Sequence, residues 1–265
     1  MMRSTLALLA LCALLTATAH AQGSRAGGIP RLPGGKPDFS GVWQALTTAD
    51  WNLLTHGASA GPPEYGALLA TPPGYGVVDG DAIPYLPAAA EQQKRNFAAR
   101  WKEDPELKCY MPGVPRANYL PYPLQIFHSD NRMLIAYQFA GAARIVNFGP
   151  PKPSAIDSWM GVSNARWDDD TLVVDVSGFN GQAWLDRAGN HAGPGLHVVE
   201  RYTLATPDAI DYSATLEDPK TFARPWTIHF RLYRNPDPHA HLMEFKCVPF
   251  TEQLLYGDLY KQPKK

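Results

Sequence analysis

Alternating apolar and polar positions dominate the chain after residue 123. In residues 227–233, for example, Ile228, Phe230 and Leu232 alternate with polar side chains. Residues 124–130 and 197–203 show the same period of two. Successive side chains of a strand point to opposite faces, so this period indicates β-strands.

Turn-forming residues separate these runs. Aspartate bonds its own backbone and proline presets φ, so both favour turns. They do so in WDDDT at 167–171, in ATPDA at 205–209 and in NPDP at 235–238. No helical pattern long enough for a crossover intervenes, so parallel βαβ units are not expected. We predict about nine strands joined by short links, with the last at residues 241–248.

A meander of this kind closes into a barrel or splits into packed sheets, because free strand edges invite aggregation. We predict an all-β fold, an antiparallel up-and-down meander that closes into a β-barrel over residues 124–250. The polar strand faces then either meet solvent or line a ligand cavity. The inward candidates are Tyr137, Arg144, and Glu200 with Tyr202, which share one face of their strand.

A long Pro-rich arm, residues 38–123, precedes the predicted barrel. It starts with a strand-like piece at 39–43. The most convincing helix covers 87–101, since Pro87 suits a first turn and the following residues are good helix formers. Residues 104–123 hold five prolines and three tyrosines. This segment either clamps a ligand ring or packs on its own tyrosines.

The N-terminus has the pattern of a secretory signal. Arg3 precedes an apolar run at 6–15, and Ala19-His20-Ala21 is a small-residue cleavage site. We therefore predict a signal peptide at 1–21, cut after Ala21, and a periplasmic or secreted protein. A flexible leader at 22–37 and a C-terminal tail at 251–265 complete the chain. Beyond the signal, the sequence has no stretch apolar enough to cross a membrane.

Cysteine usage, net charge and sequence motifs limit the kinds of metal, cofactor and macromolecular partner that we predict. Cys109 and Cys247 remain after signal cleavage, and an even pair in an oxidising compartment predicts one disulfide. Neither cysteine has a partner at metal-ligand spacing, so we predict no metal site. The net charge of −1 and the lack of a basic stripe argue against a nucleic-acid partner. No phosphate loop, dinucleotide fingerprint or Gly-x-Ser-x-Gly elbow is present, so no cofactor is predicted.

The loop WLDRAGNHAGPG concentrates reactive side chains. We predict Asp186 and His191 as an acid/base pair, in which the carboxylate raises the pKa of the imidazole. Arg187 would hold a substrate anion or a developing oxyanion. Glu200 is the reserve general base. The alternative is that the adjacent aspartate and arginine form a structural salt bridge in a turn.

Aromatic residues and one arginine complete the predicted site. They would hold a substrate ring or its charge: Trp184, Tyr119, Tyr122, Tyr202 and Arg116.

Four stretches resemble a family of secreted bacterial proteins: GKPDFSGVW, KCYMPGVPRANYLPYP, WLDRAGNH with LHVVERYT, and EDPKTFARPW. The resemblance implies secretion and a shared fold. More loosely, Gly41-Val42-Trp43 before a meander is similar to the Gly-x-Trp start of lipocalins, which implies a lipocalin-like barrel.

Three functions fit these features. The first is a secreted lyase, isomerase or hydrolase that acts on a small organic molecule. The second is a periplasmic carrier of a hydrophobic or aromatic ligand, which predicts an aromatic cavity far from Asp186 and His191. The third is a surface protein that binds glycan on exposed tyrosines and has no closed cavity.

Overall fold

The computed structural model describes residues 28–63, 69–129 and 131–256, without the side chains of residues 252, 253 and 256. The predicted signal peptide, the start of the leader and the end of the tail lie outside these residues.

Nine strands of the described chain form a closed barrel. They are β1 (Gly41–Ala45), β2 (Leu124–His128), β3 (Arg132–Tyr137), β4 (Ala143–Phe148), β5 (Val162–Asp168), β6 (Thr171–Ser177), β7 (His197–Thr206), β8 (Ala209–Glu217) and β9 (Trp226–Arg234). Two α-helices of the described chain accompany them, α1 (Pro87–Glu103) and α2 (Thr251–Tyr256). The prediction of an all-β barrel is confirmed, and its helix extends two residues beyond the predicted end.

Each strand pairs with the next one in sequence, and β1 pairs with both β2 and β9. Eight of these nine pairs are antiparallel, but β4 and β5 are parallel. The link between these two strands, residues 149–161, is long enough to carry the chain back along the barrel before β5 begins. The strict alternation that we predicted therefore fails at this one link.

The predicted bounds of the barrel need two corrections. Its first strand, β1, comes from the Pro-rich arm and closes the sheet between β2 and β9. The strand predicted at 241–248 is not formed. The alternating pattern has another origin, because Phe245 and Cys247 are half-buried while their neighbours are exposed. Phe245 packs on Tyr122 and Phe139. The barrel therefore spans residues 41–45 and 124–234.

Helix α1 lies against the loop that precedes β7. Gln93 and Asn96 donate side-chain hydrogen bonds to the carbonyls of Ala188 and Gly189. Gly189 has a φ of +81°, and a Cβ there would lie 2.7 Å from the Asn96 Cβ, so this contact requires glycine. Among the described residues, no helix is long and apolar enough to span a bilayer.

The two barrel ends differ in what covers them. Strand β6 runs from one end, at Thr171, to the other, at Ser177. We call residues 104–120 and 178–196 the cap, because they close the end near Ser177. We call residues 29–39 the strap, which crosses the opposite end: Arg31 pairs with Asp170, and Lys36 donates to the carbonyl of Asp169.

Candidate functional site

A cluster of hydrogen-bonded polar side chains fills the barrel interior. We call it the polar centre. It comprises five barrel residues and one cap residue, each at most 4% exposed: Tyr137, Arg144, Glu200, Tyr202, Tyr212 and Asn118. Glu200 and Tyr202 point into the barrel, as predicted. They share one face of β7 because they are two positions apart.

Glu200 is the acceptor at the middle of this cluster. Its Oε1 accepts from Tyr202 at 2.8 Å, Tyr212 at 2.9 Å, Asn118 at 2.9 Å and Arg144 Nη1 at 3.1 Å. Its Oε2 pairs with Arg144 Nη2. A buried carboxylate is tolerated only when paired and hydrogen-bonded, and here both conditions hold.

The surrounding groups are held in defined protonation states. Burial raises the pKa of Tyr137 to about 12 and raises the pKa values of Tyr202 and Tyr212 well above their usual value. Burial acts to lower the pKa of Arg144, but the negative charge of Glu200 acts to raise it, and the net shift of this pKa is upward. The tyrosines therefore stay neutral hydrogen-bond donors at ordinary pH.

The cap is fastened by buried ion pairs. Arg116 forms a fork with Asp104, at 2.9 and 3.0 Å, and a further bond with Glu106 at 2.7 Å. Tyr119 donates to the carbonyl of Leu185 at 2.6 Å. Arg116 and Tyr119, predicted as substrate-binding residues, thus have structural partners inside the cap.

Asp186 holds the turn of the second cap segment. Its carboxylate accepts from the backbone N–H groups of Leu53 and Asn190 and from Asn190 Nδ2, at 2.8, 3.0 and 2.6 Å. Burial raises the pKa of Asp186 to about 6. This carboxylate therefore joins the N-terminal arm to the loop.

His191 does not form the predicted pair with Asp186. Its ring stacks on Tyr85 at 5.5 Å, and its buried Nδ1 has no hydrogen-bond partner among the described residues. Burial lowers the pKa of His191. The expectation that Asp186 raises the pKa of His191 is wrong, since the donors of Leu53 and Asn190 occupy the carboxylate.

Arg187 forms a structural ion pair, the alternative that the sequence left open. Its partner is Glu106, at 2.6 and 2.8 Å, and its guanidinium lies 4.4 Å from the Trp51 ring centroid. The expected partner was the adjacent aspartate. The observed partner lies 81 positions away, a distance at which spacing in the sequence gives no signal.

The remaining predicted substrate-binding residues lie apart. Trp184 is half-buried beside a void of about 10 Å³. Its backbone forms an isolated antiparallel β-bridge with that of His191. Tyr122 packs against Phe139 and Phe245 outside the barrel, while Tyr202 is inside it. These aromatic residues do not surround a common space.

Cys109 and Cys247 form the predicted disulfide, with an S–S distance of 1.94 Å. It joins the cap to the segment after β9. Within the described ranges, no group of three or more His, Cys, Asp or Glu side chains could hold a metal ion.

A cleft of about 460 Å³ lies at the strap end of the barrel. We call it the rim cleft. Residues of the strap and of the ends of three strands line it: Leu32, Pro33, Gly34, Lys36, His128, Ser129, Phe148 and Trp167. Its volume lies within the range typical of small-molecule sites, roughly 300–1,000 Å³.

Stacked rings form the apolar part of the rim cleft. The Trp167 ring lies nearly parallel to Phe148 and to Phe39, with centroids 6.1 Å apart in each case. Fully buried Phe39 also contacts Tyr202 inside the barrel. The rim cleft is thus separated from the polar centre by the Phe39 ring.

Two polar groups complete the rim cleft. Lys36 Nζ lies 5.8 Å from the Trp167 ring centroid. His128 Nε2 accepts from the Phe39 backbone N–H at 3.3 Å, so the neutral ring carries its proton on Nδ1. Burial lowers the pKa of His128, which favours this neutral form. The rim cleft is therefore lined by a cation and a neutral imidazole beside an aromatic wall.

Reasoning from the sequence missed the rim cleft. Lys36 lies in the segment predicted as a flexible leader, and Trp167 was used only to mark a turn. The available signal was the run of three aspartates after Trp167. Asp170 pairs with Arg31, and the backbone carbonyl of Asp169 accepts from Lys36 across the barrel end.

The fold and these sites define a β-barrel protein whose interior is filled and whose architecture is compatible with small-molecule binding at the rim. The chain matches no protein-family model, no curated protein and no solved structure.

Proposed function

We propose that this protein is a secreted or periplasmic carrier of a small organic molecule that binds in the rim cleft. The observation that supports this proposal most directly is the cleft of about 460 Å³ with stacked Trp167 and Phe148 on one wall. The disulfide between Cys109 and Cys247 fits an oxidising compartment.

The polar groups of the rim cleft indicate the ligand's chemistry. A flat ring gains most from stacking on an indole face. The Lys36 ammonium and the His128 N–H are both donors, so they favour a carboxylate or another acidic group on that ring. We therefore propose an aromatic acid as the ligand class.

The carrier hypothesis predicted an aromatic cavity remote from Asp186 and His191. The rim cleft lies at the opposite end of the barrel from the loop that carries both residues. The glycan-binding alternative, which expected no closed cavity, stays a prediction.

Acid/base catalysis by Asp186, His191, Arg187 and Glu200 also stays a prediction. A pKa of about 6 at Asp186 favours it, since an acid/base group works best near the operating pH. Against it, the carboxylates of Asp186 and Glu200 and the guanidinium of Arg187 are already bonded. Loss of turnover in His191→Ala, with the fold intact, would restore this alternative once a substrate is known.

A calorimetric titration with naphthoate, an aromatic carboxylate, tests the carrier proposal. We expect saturable binding that weakens at least about tenfold in Trp167→Ala, since one lost aromatic contact is worth about 1.4 kcal/mol. Trp101→Ala is the matched control, because Trp101 lies on α1. Absence of binding, or equal loss in both variants, contradicts the proposal.

A second comparison tests the acidic group. Lys36→Gln should weaken naphthoate several-fold and leave naphthol, which has no carboxylate, unchanged. An equal effect of Lys36→Gln on both compounds would remove the lysine from the ligand site and leave the aromatic wall to be judged by Trp167→Ala.

A further inference from the structure

Asn118 reaches from the cap into the polar centre, and both ends of its side-chain amide are bonded there. The nitrogen lies 2.9 Å from Glu200 Oε1 and 3.1 Å from the hydroxyl of Tyr202 and of Tyr212, and its two N–H protons are shared among these three acceptors. The oxygen accepts from the Tyr137 hydroxyl at 2.9 Å. The barrel thus presents acceptors to one end of the amide and a donor to the other.

This arrangement does not depend on Asn118 for its orientation. Tyr202 and Tyr212 donate their hydroxyl protons to Glu200, which leaves their lone pairs for an incoming N–H. Arg144 fixes Glu200, and Ser163 in turn accepts from Arg144 Nε at 3.1 Å. The acceptors are held by barrel strands, whereas Asn118 belongs to the cap.

The pattern selects an amide over its close relatives. A carboxylate of the same shape would place a negative oxygen against Glu200, which costs far more than the amide contact it replaces. A ketone would leave the acceptors of Glu200, Tyr202 and Tyr212 without a donor. Only a group with an N–H end and a C=O end satisfies all four barrel residues.

We infer that the polar centre is a binding site for a carboxamide group and that Asn118 occupies it as an intramolecular ligand. A carboxamide from another molecule binds there in place of the Asn118 side chain. This site is distinct from the rim cleft, because Phe39 lies between Tyr202 and Trp167.

Asn118→Gly with added acetamide tests the inference. The variant removes the occupant and leaves a space that acetamide fills. We expect acetamide to raise the melting temperature of the variant and to bind it at least tenfold more tightly than it binds the wild-type protein. Acetate, which has the same shape and a negative charge, should not do so. Equal responses to acetamide and acetate, or none to either, overturn the inference.

Tyr137→Phe in the Asn118→Gly background provides the specificity control. It removes the donor to the amide oxygen with little change in volume, so acetamide affinity should fall several-fold. Naphthoate binding at the rim cleft should remain, which shows that the barrel is folded. Unchanged acetamide affinity would place the amide elsewhere and overturn the assignment.

If Asn118→Gly does not fold unaided, it is refolded from urea with acetamide or with acetate present. Recovery of the folded state with acetamide alone supports the inference. Equal recovery with both compounds, or recovery with neither, contradicts it.

Discussion

Single residues show which polar groups are enclosed by the fold and which line an open cleft. Arg187 and Asp186 looked reactive in the sequence, yet each is saturated by partners from distant segments. Lys36 and His128 looked unremarkable, yet both line an open cleft. Burial and partners, more than residue type, decide the role of a charged side chain.

Glu200→Ala tests how much the ion pair of the polar centre contributes to the stability of the fold. The change leaves Arg144, whose side chain is 2% exposed, without its counter-charge. Removing one partner of a buried pair costs about 3–5 kcal/mol, and we expect that loss in the free energy of unfolding by urea. Glu217→Ala, at an exposed position of β8, is the control and should stay within about 0.5 kcal/mol. A loss below about 1 kcal/mol in Glu200→Ala would contradict the description of this pair.

At the scale of elements, the cap joins segments that are far apart in sequence. The loop before β7 bonds the backbone of Leu53 and the side chains of α1. Glu106 links Arg116 to Arg187. The disulfide then attaches Cys109 of this cap to Cys247 beyond β9. The cap is therefore a tightly connected layer, a property that suits a support more than a moving lid.

Removal of the disulfide measures how much the connection of these segments contributes. The cysteines are 138 positions apart, and the chain-entropy relation gives about 5 kcal/mol for a loop of that length. We expect Cys109→Ser combined with Cys247→Ser to lose about 3–5 kcal/mol of unfolding free energy in urea. A loss under about 1 kcal/mol would contradict this contribution and would indicate that the unfolded chain is already restricted by residual structure.

At the scale of the whole molecule, buried titratable groups make the stability depend on pH. Burial raises the pKa values of Asp50 and Asp186 to about 6. Both groups bind protons more tightly in the folded state than in the unfolded state, so stability rises as the pH falls from 7 towards 4. Burial acts to raise the pKa of Glu106, but the positive charges of Arg187 and Arg116 lower it to about 2. The stability that Glu106 contributes is therefore lost as the pH falls below about 4.5.

Two histidines act in the opposite direction. Burial lowers the pKa values of His128 and His191, so their contribution to stability falls as the pH drops below about 6.5. A comparison with Asp50→Asn isolates one carboxyl group, because the variant keeps both histidines. We expect the free energy of unfolding of the wild-type protein, measured relative to Asp50→Asn, to rise by about 1–2 kcal/mol between pH 7.5 and 5. A difference between the two proteins that is flat or falls over this range would contradict the raised pKa of Asp50.

The fold was largely predictable because strand alternation and turn residues are local signals. The closure of the barrel by β1 and the parallel pair of β4 and β5 were not, since both depend on contacts across long separations. The inward direction of Glu200 and Tyr202 followed from their spacing on one strand. The partners of Asp186 and Arg187 did not, because Leu53 and Glu106 lie far away in sequence.

The most direct test of ligand binding at the rim cleft is a backbone-amide NMR map of the protein titrated with naphthoate. If naphthoate binds in the rim cleft, the amide signals of residues 32–36 and of the neighbours of His128, Phe148 and Trp167 shift, and those of residues 184–191 do not. Shifts concentrated in residues 184–191, with the rim cleft unaffected, would contradict this binding.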